Sequence, residues 1–318
     1  MIRTVLSLAL AAFCTAAGAQ YPSKPIRLIV PFPAGGAAEL GARIVSQPLA
    51  QALGQPVIVE PKPGGDGVIA ADVVMKSAAD GYTLFYPTST AFSWVPVTHK
   101  KPPYDPVADF TPVSLVGFFG FFLFTHPSVP ANSVAELLAY ARANPGKLNY
   151  ASQGTTTVSF LTTEMFMTMA GALKITHVPY KGTAPGLAAI LAGEVELMFD
   201  NLGVTLPHVR SGKLKALAVC GERRVASLPD VPAMAEIYPG FVSVAWFGVV
   251  APPKTPASIA EKLSAAIAET LKLPDVAARL ANLSAEPIAS TPAGMAAIME
   301  ADAERWRAVI RAAGVKPE

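Results

Sequence analysis

The chain has 318 residues, of which 52% are hydrophobic and 15% are charged. Its 25 lysines and arginines and 23 acidic residues leave a formal net charge of +2 at pH 7. This balance provides no electrostatic footprint for nucleic acid or an anionic membrane, and the apolar content excludes a disordered chain. The length is large for one core and favours two lobes.

The first residues have the pattern of a secretory signal. Arg3 precedes an apolar run over residues 5–13, and residues 17–19 read Ala-Gly-Ala, a small-residue cleavage site. The apolar run is too short to span a membrane. We therefore expect residues 1–19 to be a cleaved signal peptide and the mature protein to lie in the periplasm.

The two cysteines have separate interpretations. Cys14 could carry a lipid in the precursor, but Phe13 occupies the position where a small residue is expected. If cleavage removes Cys14, Cys220 cannot form an internal disulfide. We expect Cys220 to be a small buried residue at a strand end.

Short β-branched segments alternate with amphipathic helical segments along the chain. The predicted strands cover residues 26–30, 57–59, 83–86, 147–150, 175–178, 195–199 and 214–219. The predicted helices include residues 39–53, 134–144, 159–170 and 184–191. This alternation predicts an α/β fold with mostly parallel, doubly wound sheets.

Several residues predict where helices begin or bend. Ser133 and Glu136 form a capping box, and Thr255 and Thr291 each precede a proline that could open a helix. Pro48 lies inside an otherwise regular helical pattern, where it should kink or shorten the helix.

A long apolar segment covers residues 110–124 and contains Gly117 and Gly120. We interpret it as a strand that ends one lobe, a bend, and a strand that enters the other. A second crossing is expected at residues 214–221. The predicted lobes are residues 20–120 with 220–318, and residues 121–219. Their facing strand ends would form a ligand cleft.

A glycine-rich turn over residues 30–39 follows the first predicted strand. Its glycines let the backbone approach a ligand, and the free amides at a helix start suit an anion. A plain packing turn is the alternative, and the dinucleotide pattern G-x-G-x-x-G is absent. The candidate binding residues here are Phe32, Ala34, Gly35, Gly36, Ala37 and Glu39.

A second loop, residues 150–157, carries a hydroxyl or amide on nearly every residue. One hydroxyl is enough to cap the following helix, so the excess predicts ligand binding. The candidates are Ser152, Gln153, Thr155, Thr156 and Thr157. If this loop grips the ligand, Thr157→Val should weaken binding roughly ten- to a hundredfold; a purely capping role would lower stability alone.

Two further strand ends carry polar groups that fit the same cleft. Tyr180 and Lys181 supply a ring and a cation, and Asp200 and Asn201 supply a carboxylate and an amide. Lys181 could instead be a solvated charge, and Asp200 could only orient backbone amides.

The sequence contains no recognised catalytic constellation. G-x-S-x-G, H-E-x-x-H and paired cysteines are absent, and the four histidines, His99, His126, His177 and His208, have no metal spacing. We expect no catalytic residue, metal or cofactor, and His177 is interpreted as a core histidine. A secreted α/β enzyme acting on a small carboxylate remains the alternative.

Nine ordered motifs resemble those of one family. They are YPSKPIR (21–27), VPFPAGG (30–36), DGYTL (80–84), PYDP (103–106), KLNYAS (147–152), HVPYKG (177–182), MFDN (198–201), KALAV (215–219) and LPDVP (228–232). The chain resembles the Bug receptors, the substrate-binding proteins of tripartite tricarboxylate transporters. This implies a two-lobed periplasmic binding protein of the Venus-flytrap type (type II). Such a monomer would close on a carboxylate through a hinge of two crossings and deliver it to a membrane permease.

The resemblance also implies which loops grip the ligand. They are the turns at residues 32–39 and 152–157, and the segment 88–94 adds Ser89 and Thr90 as candidates. This chain departs from the family's motifs at six positions, and the changes trade polar groups for apolar surface. Ala38 and Glu39 stand where the family usually has threonine and aspartate, and Val158 and Phe160 stand where serine and histidine are common. Phe92 and Trp94 replace small residues. The changes favour a carboxylate with an aromatic or apolar body, with an aliphatic dicarboxylate or amino acid as the rival.

Overall fold

The computed structural model describes residues 21–313 except residues 156, 226 and 284. The predicted signal peptide with Cys14, and the candidate Thr156, lie outside the described residues, as does the side chain of Trp94. Within the described part of the chain, no helix has both the length and the apolar character that a membrane crossing needs.

The strands form one mixed sheet. They are β1 (Ile26–Val30), β2 (Val57–Pro61), β3 (Thr83–Phe85), β4 (Thr111–Thr125), β5 (Asn149–Ser152), β6 (Thr176–Pro179), β7 (Leu197–Asn201), β8 (Lys215–Val219), β9 (Val244–Ala251) and β10 (Ala285–Pro287). Their order is β2-β1-β3-β9-β4-β7-β5-β6, and β8 and β10 also pair with β4. The predicted pair of separate sheets is therefore wrong, because both halves share β4.

Strand β4 joins the two halves of the sheet. Its residues up to Gly120 pair with β9, and those from Phe121 pair with β7. The prediction of two separate strands is wrong, because all 15 residues form one strand, whose register with β9 shifts between Pro112 and Ser114 and between Leu115 and Gly117. A Cβ on Gly117 would lie 2.5 Å from the Glu286 carbonyl oxygen. Glycine is thus needed there for the close approach of β10, while the surrounding aromatic and β-branched residues favour an extended chain.

Helices cover the sheet. They are α1 (Ala37–Leu53), α2 (Val68–Met75), α3 (Val95–Thr98), α4 (Val134–Ala143), α5 (Val158–Met169), α6 (Thr183–Ala192), α7 (Leu202–Arg210), α8 (Met234–Ile237), α9 (Ala257–Leu271), α10 (Pro274–Asn282) and α11 (Pro292–Ala313). A 3₁₀ turn, Gly65–Gly67, precedes α2, and a π-helical turn, Thr90–Trp94, precedes α3. Pro48 lies within α1 without ending it.

Two of the three predicted helix caps are present. Thr291 accepts a hydrogen bond from the Gly294 amide at 3.1 Å at the start of α11. Thr255 does not cap α9, because Pro256 precedes that helix and the Thr255 hydroxyl donates to the Pro252 carbonyl oxygen.

The Ser133 cap gives a stability prediction. Its hydroxyl accepts from the Glu136 amide at 3.1 Å, and the Glu136 carboxylate accepts from the Asn132 amide at 2.7 Å. Ser133→Ala should lower the free energy of unfolding by about 1 kcal/mol, because one amide at the helix start loses its acceptor. Urea denaturation measures this, and an unchanged midpoint would contradict it.

Apolar cores lie on both halves of the sheet. Ile26, Leu28 and Val249 belong to a core beside β1 and β9, and Phe121 and Tyr150 belong to one beside β5 and β7. After β8, Cys220, Met234 and Phe241 pack in the same core as Phe121. Cys220 is fully buried at the end of β8, as predicted, and burial raises the pKa of its thiol.

Candidate functional site

A pocket lies beside the middle of β4, at the carboxyl ends of the parallel strands, where ligands of α/β folds bind. The empty space in this region, counted together with the open solvent at its mouth, is about 570 Å³. Its walls consist of Phe32, Pro33, Gly36, Ala37, Ala38, Thr88, Thr90, Phe119, Phe121, Gln153, Lys181, Gly182, Thr183, Ala184, Asn201, Ala245 and Phe247. Residues from both halves of the sheet therefore meet in one cavity.

The predicted site residues divide into two groups. Those that line the pocket are Phe32, Gly36, Ala37, Thr90, Gln153 and Lys181. Those that lie outside its walls are Ala34, Gly35, Glu39, Ser89, Ser152, Thr155, Thr157, Tyr180 and Asp200. The structure adds the start of α6 and the phenylalanines of β4 and β9, which the sequence reasoning did not select.

The start of α1 forms one wall of the pocket. Gly36 precedes the helix and provides no side chain to cap it. The first amides of a helix have no acceptor within that helix. Ala37 and Ala38 both line the cavity, so the start of α1, where amides lack an acceptor within the helix, borders the pocket.

Glu39, in the first turn of α1, is occupied by its own loop. Its buried carboxylate accepts from the Gly35 amide at 3.3 Å and pairs with Arg43 one turn later. Gly35 has a φ of +83°, which favours glycine. Glu39 and Gly35 thus shape the turn before α1 and lie outside the walls of the pocket.

The start of α6 forms another wall of the pocket. Gly182, with a φ of +103°, precedes the helix and offers no side-chain cap. Pro185 has no N–H, so the available donors are the amides of Thr183 and Ala184. Lys181 adds an exposed ammonium group beside them. Two helix N-termini and a cation therefore share the pocket, an arrangement that favours negative charge.

The hydroxyl-rich loop before α5 makes its contacts internally. Ser152 Oγ donates to the Gly154 carbonyl oxygen at 2.9 Å and lies 2.6 Å from His177 Nε2. Thr157 Oγ1 donates to the same carbonyl at 3.0 Å and accepts from the Phe160 amide at 3.4 Å. These contacts give Thr157 the capping role, and they bury both hydroxyls away from the pocket.

Thr157→Val is expected to act as a cap mutation. The variant keeps the side-chain shape and loses both hydrogen bonds, so the free energy of unfolding should fall by about 1 kcal/mol. Carboxylate affinity should match the parent within about twofold, because Thr157 does not touch the pocket. Paired denaturation and calorimetric titration measure the two effects, with Ser133→Ala as the matched cap variant. A tenfold loss of affinity would instead indicate that the Thr157 hydroxyl contacts the ligand.

The other predicted polar residues lie beside the pocket. Ser89 is fully buried, and Thr155 is exposed on the surface of its loop. The Tyr180 amide donates to the Ser152 carbonyl oxygen at 3.0 Å, which continues the pairing of β5 and β6. His177 stacks on Tyr150 at 4.8 Å, and burial lowers the pKa of its imidazole.

Asp200 is fully buried behind the pocket at the end of β7. Its Oδ1 accepts from Gln153 Nε2 at 2.6 Å, from the Asn201 amide at 2.7 Å and Nδ2 at 2.9 Å, and from Thr183 Oγ1 at 3.3 Å. Burial raises the pKa of this carboxyl to about 7, although the hydrogen bonds from Asn201, Thr183 and Gln153 lower it. Asp200 thus organises three pocket residues without entering the pocket.

Phenylalanines form the apolar wall of the pocket. Phe119 of β4 and Phe247 of β9 lie 4.0 Å apart between ring centroids, and Phe32 and Phe121 complete the wall. Such a surface packs against the apolar body of a ligand.

The residues that first suggested an apolar ligand lie elsewhere. Phe92 packs in the core against Phe110 at 4.8 Å, Val158 is fully buried, and Phe160 packs on His177 at 4.8 Å. None of the three lines the pocket. In the residues that the structure describes, no group of three or more histidine, cysteine or acidic side chains is arranged for a metal.

Comparison with known proteins identifies the family. Residues 41–315 match the family described as the tripartite tricarboxylate transporter family receptor, TctC. Protein BugT of Bordetella pertussis is 38% identical over 298 residues, covering 93% of this chain and 91% of BugT. The chain belongs to the TctC, or Bug, family of receptors, which bind their ligands and are not enzymes.

Solved structures confirm the α/β periplasmic binding protein fold. Rpa4515 from R. palustris, solved with adipate, has a TM-score of 0.90 and 35% identity, covering 94% of this chain and all of that one. The periplasmic binding protein BugD has a TM-score of 0.89 and 33% identity over the same shares.

Proposed function

We propose that this protein is a periplasmic receptor that captures a small carboxylate in the pocket beside β4. The supporting observation is the meeting of two uncapped helix N-termini, those of α1 and α6, with Lys181 in one cavity. Amides and an ammonium group favour a carboxylate there over a neutral or cationic group. The adipate in the Rpa4515 structure supports the same ligand class.

The pocket walls favour a ligand with an apolar body. Phe119, Phe121 and Phe247 line the pocket, and aromatic faces stack on rings or alkyl chains. We propose a carboxylate with an aromatic or alkyl body. A small, highly charged acid such as citrate would leave this wall without a matching surface.

We further propose that the chain works as a monomer with two lobes that close on the ligand. The first lobe contains residues 20–120 and the C-terminal part, and the second begins at residue 121, where β4 changes partners. We place the second crossing between Cys220 and Val244, because Met234 and Phe241 pack in the core of the second half. The loaded receptor would pass its ligand to the permease subunits of the transporter.

A thermal-shift screen tests the ligand class. A ligand that binds only the folded protein adds about 2.7 kcal/mol at a hundred times its Kd, so the matching carboxylate should raise the melting temperature by several degrees. The amide of the same acid is the matched control and should give no rise. Equal shifts from acid and amide would contradict carboxylate recognition.

A further inference from the structure

Strands β4 and β9 present one face of the sheet to the pocket. Phe119 of β4 lies directly opposite Ala245 of β9 in the antiparallel ladder, and Phe118 lies opposite Trp246. Residues directly opposite each other share a face of the sheet, and neighbours along a strand alternate between faces. Phe119 and Ala245 line the pocket, whereas Phe118 and Trp246 pack in an apolar core on the other face. The side chain of Ala245 is therefore directed to the pocket.

Ala245 has phenylalanines around it on this face. Phe247, two residues along β9, and Phe121, two residues along β4, also line the pocket. They lie on opposite sides of the Phe119–Ala245 pair along the ladder. The Phe119 ring packs on the Phe247 ring, with 4.0 Å between centroids, so it leans away from Phe121. A single methyl group, that of Ala245, thus lies between the paired rings and Phe121, and it leaves a notch in the aromatic wall.

The exposed fractions agree with an opening at this position. Ala245 is 6% exposed and Phe247 5%, whereas Phe119 is 1% and Phe121 3% exposed. The paired rings are also supported from behind by α1, because a Cβ on Gly41 would lie 3.6 Å from Phe247 and 3.8 Å from Phe119. These are ordinary contact distances, so the rings have no space to retreat towards the helix. A ligand body that packs on this wall therefore has the space over Ala245 to use.

Resting on the proposed function, we propose that Ala245 is a specificity-determining residue of the pocket. The apolar body of the carboxylate lies over its methyl group, between the Phe119–Phe247 pair and Phe121, and the size of the notch sets how large a body the pocket accepts. A larger side chain at this position occupies the space of the ligand body. The carboxylate group is held at the helix starts, so a substitution of Ala245 changes the preferred body size and keeps the requirement for a carboxylate.

Calorimetric titration of the intact protein with acids of increasing body size tests this role. The probes are acetate, butyrate and hexanoate, and benzoate, phenylacetate and 3-phenylpropionate. Ala245→Leu fills the notch, so the largest acid that the parent binds should lose at least about tenfold in affinity relative to the smallest, as methylene groups provide in an apolar pocket. Equal weakening of all acids, or no change, would overturn the role of Ala245 and leave the proposed function intact. Binding of none of these acids by the parent would contradict the proposed function itself.

Two further variants separate size selection from a general defect. Val244→Leu enlarges the neighbouring side chain of β9, which alternates to the other face and does not line the pocket, so all affinities should stay within about twofold of the parent. If Ala245→Leu does not fold, Ala245→Val adds two carbons at the same position and should shift the preference towards smaller bodies as well. An unchanged preference in Ala245→Val, or an equal shift in Val244→Leu, would contradict the proposal.

Discussion

Ala184→Glu is expected to abolish carboxylate binding while leaving the protein folded. Ala184 lies in the first turn of α6 and lines the pocket. A carboxylate in the first turn of a helix is compatible with the helix dipole, so the free energy of unfolding should not fall. The new carboxylate would accept hydrogen bonds from the same amides as the carboxylate of the ligand, and its negative charge would repel the ligand. Two like charges about 4 Å apart cost about 4 kcal/mol near a protein surface, which predicts a loss of more than a hundredfold in affinity.

Two control variants isolate the charge at this position. Ala184→Gln has nearly the same size without the charge, and it should retain measurable binding. Ala188→Glu places the same charge one turn further along α6, at an exposed position outside the pocket, and should match the parent. Calorimetric titration compares all three. Binding by Ala184→Glu at parental affinity would show that the carboxylate does not lie at the start of α6.

Asp200 should contribute a loss of stability as pH rises from about 4 to 7. Burial raises the pKa of this carboxyl from 3.8 to about 7 in the folded state. Within this window the folded protein holds a proton that the unfolded chain has released, so raising the pH favours unfolding. Below pH 4 both states are protonated and this contribution is constant. With about 1.4 kcal/mol per pKa unit, the loss is on the order of 4 kcal/mol by pH 8.

Asp200→Asn provides the matched comparison, because the amide has similar shape and no ionisable group. Urea denaturation at several pH values between 4 and 8 gives the difference in unfolding free energy between the two proteins. The contributions of the other titrating groups cancel in this difference. The variant should be the more stable protein above pH 7, and its advantage should shrink towards pH 4. A difference that does not change with pH would contradict the raised pKa.

Local elements were predictable from the sequence because their signals are local. β1 has the predicted bounds, and Ser133 caps α4 through the Glu136 amide as its spacing indicates. The turn before α1 was recognised by its glycines, and Gly36 and Ala37 line the pocket. Periodicity and capping depend on residues only a few positions apart, so the folded chain retains the local structure that these patterns predict.

The contacts of the loop before α5 were harder to predict for a physical reason. The density of hydroxyls before α5 indicated ligand binding, yet Ser152 and Thr157 use their hydroxyls on the Gly154 carbonyl oxygen. Backbone groups compete with ligands for hydroxyls, and sequence does not show which partner is closer. The start of α6 carries the same signal as that of α1, a glycine before a helix, at Gly182.

The aromatic wall depends on long-range pairing that no local pattern reveals. Phe119 and Phe121 belong to a run of phenylalanines in β4, and Phe247 reaches the pocket only because β9 pairs with β4. A shift of one residue in that pairing would turn different side chains to the cavity. Phe92, by contrast, is covered by Tyr104 and Phe110 in the core.

A crystal structure with the tightest-binding carboxylate would show directly whether the ligand lies in this pocket. We expect one carboxylate group of the ligand to lie between the starts of α1 and α6. Its oxygens should lie about 2.7–3.2 Å from amide nitrogens of Ala37 or Ala38 and of Thr183 or Ala184. A ligand bound away from β4, or a carboxylate held by the hydroxyls of Thr155 and Thr157, would contradict it.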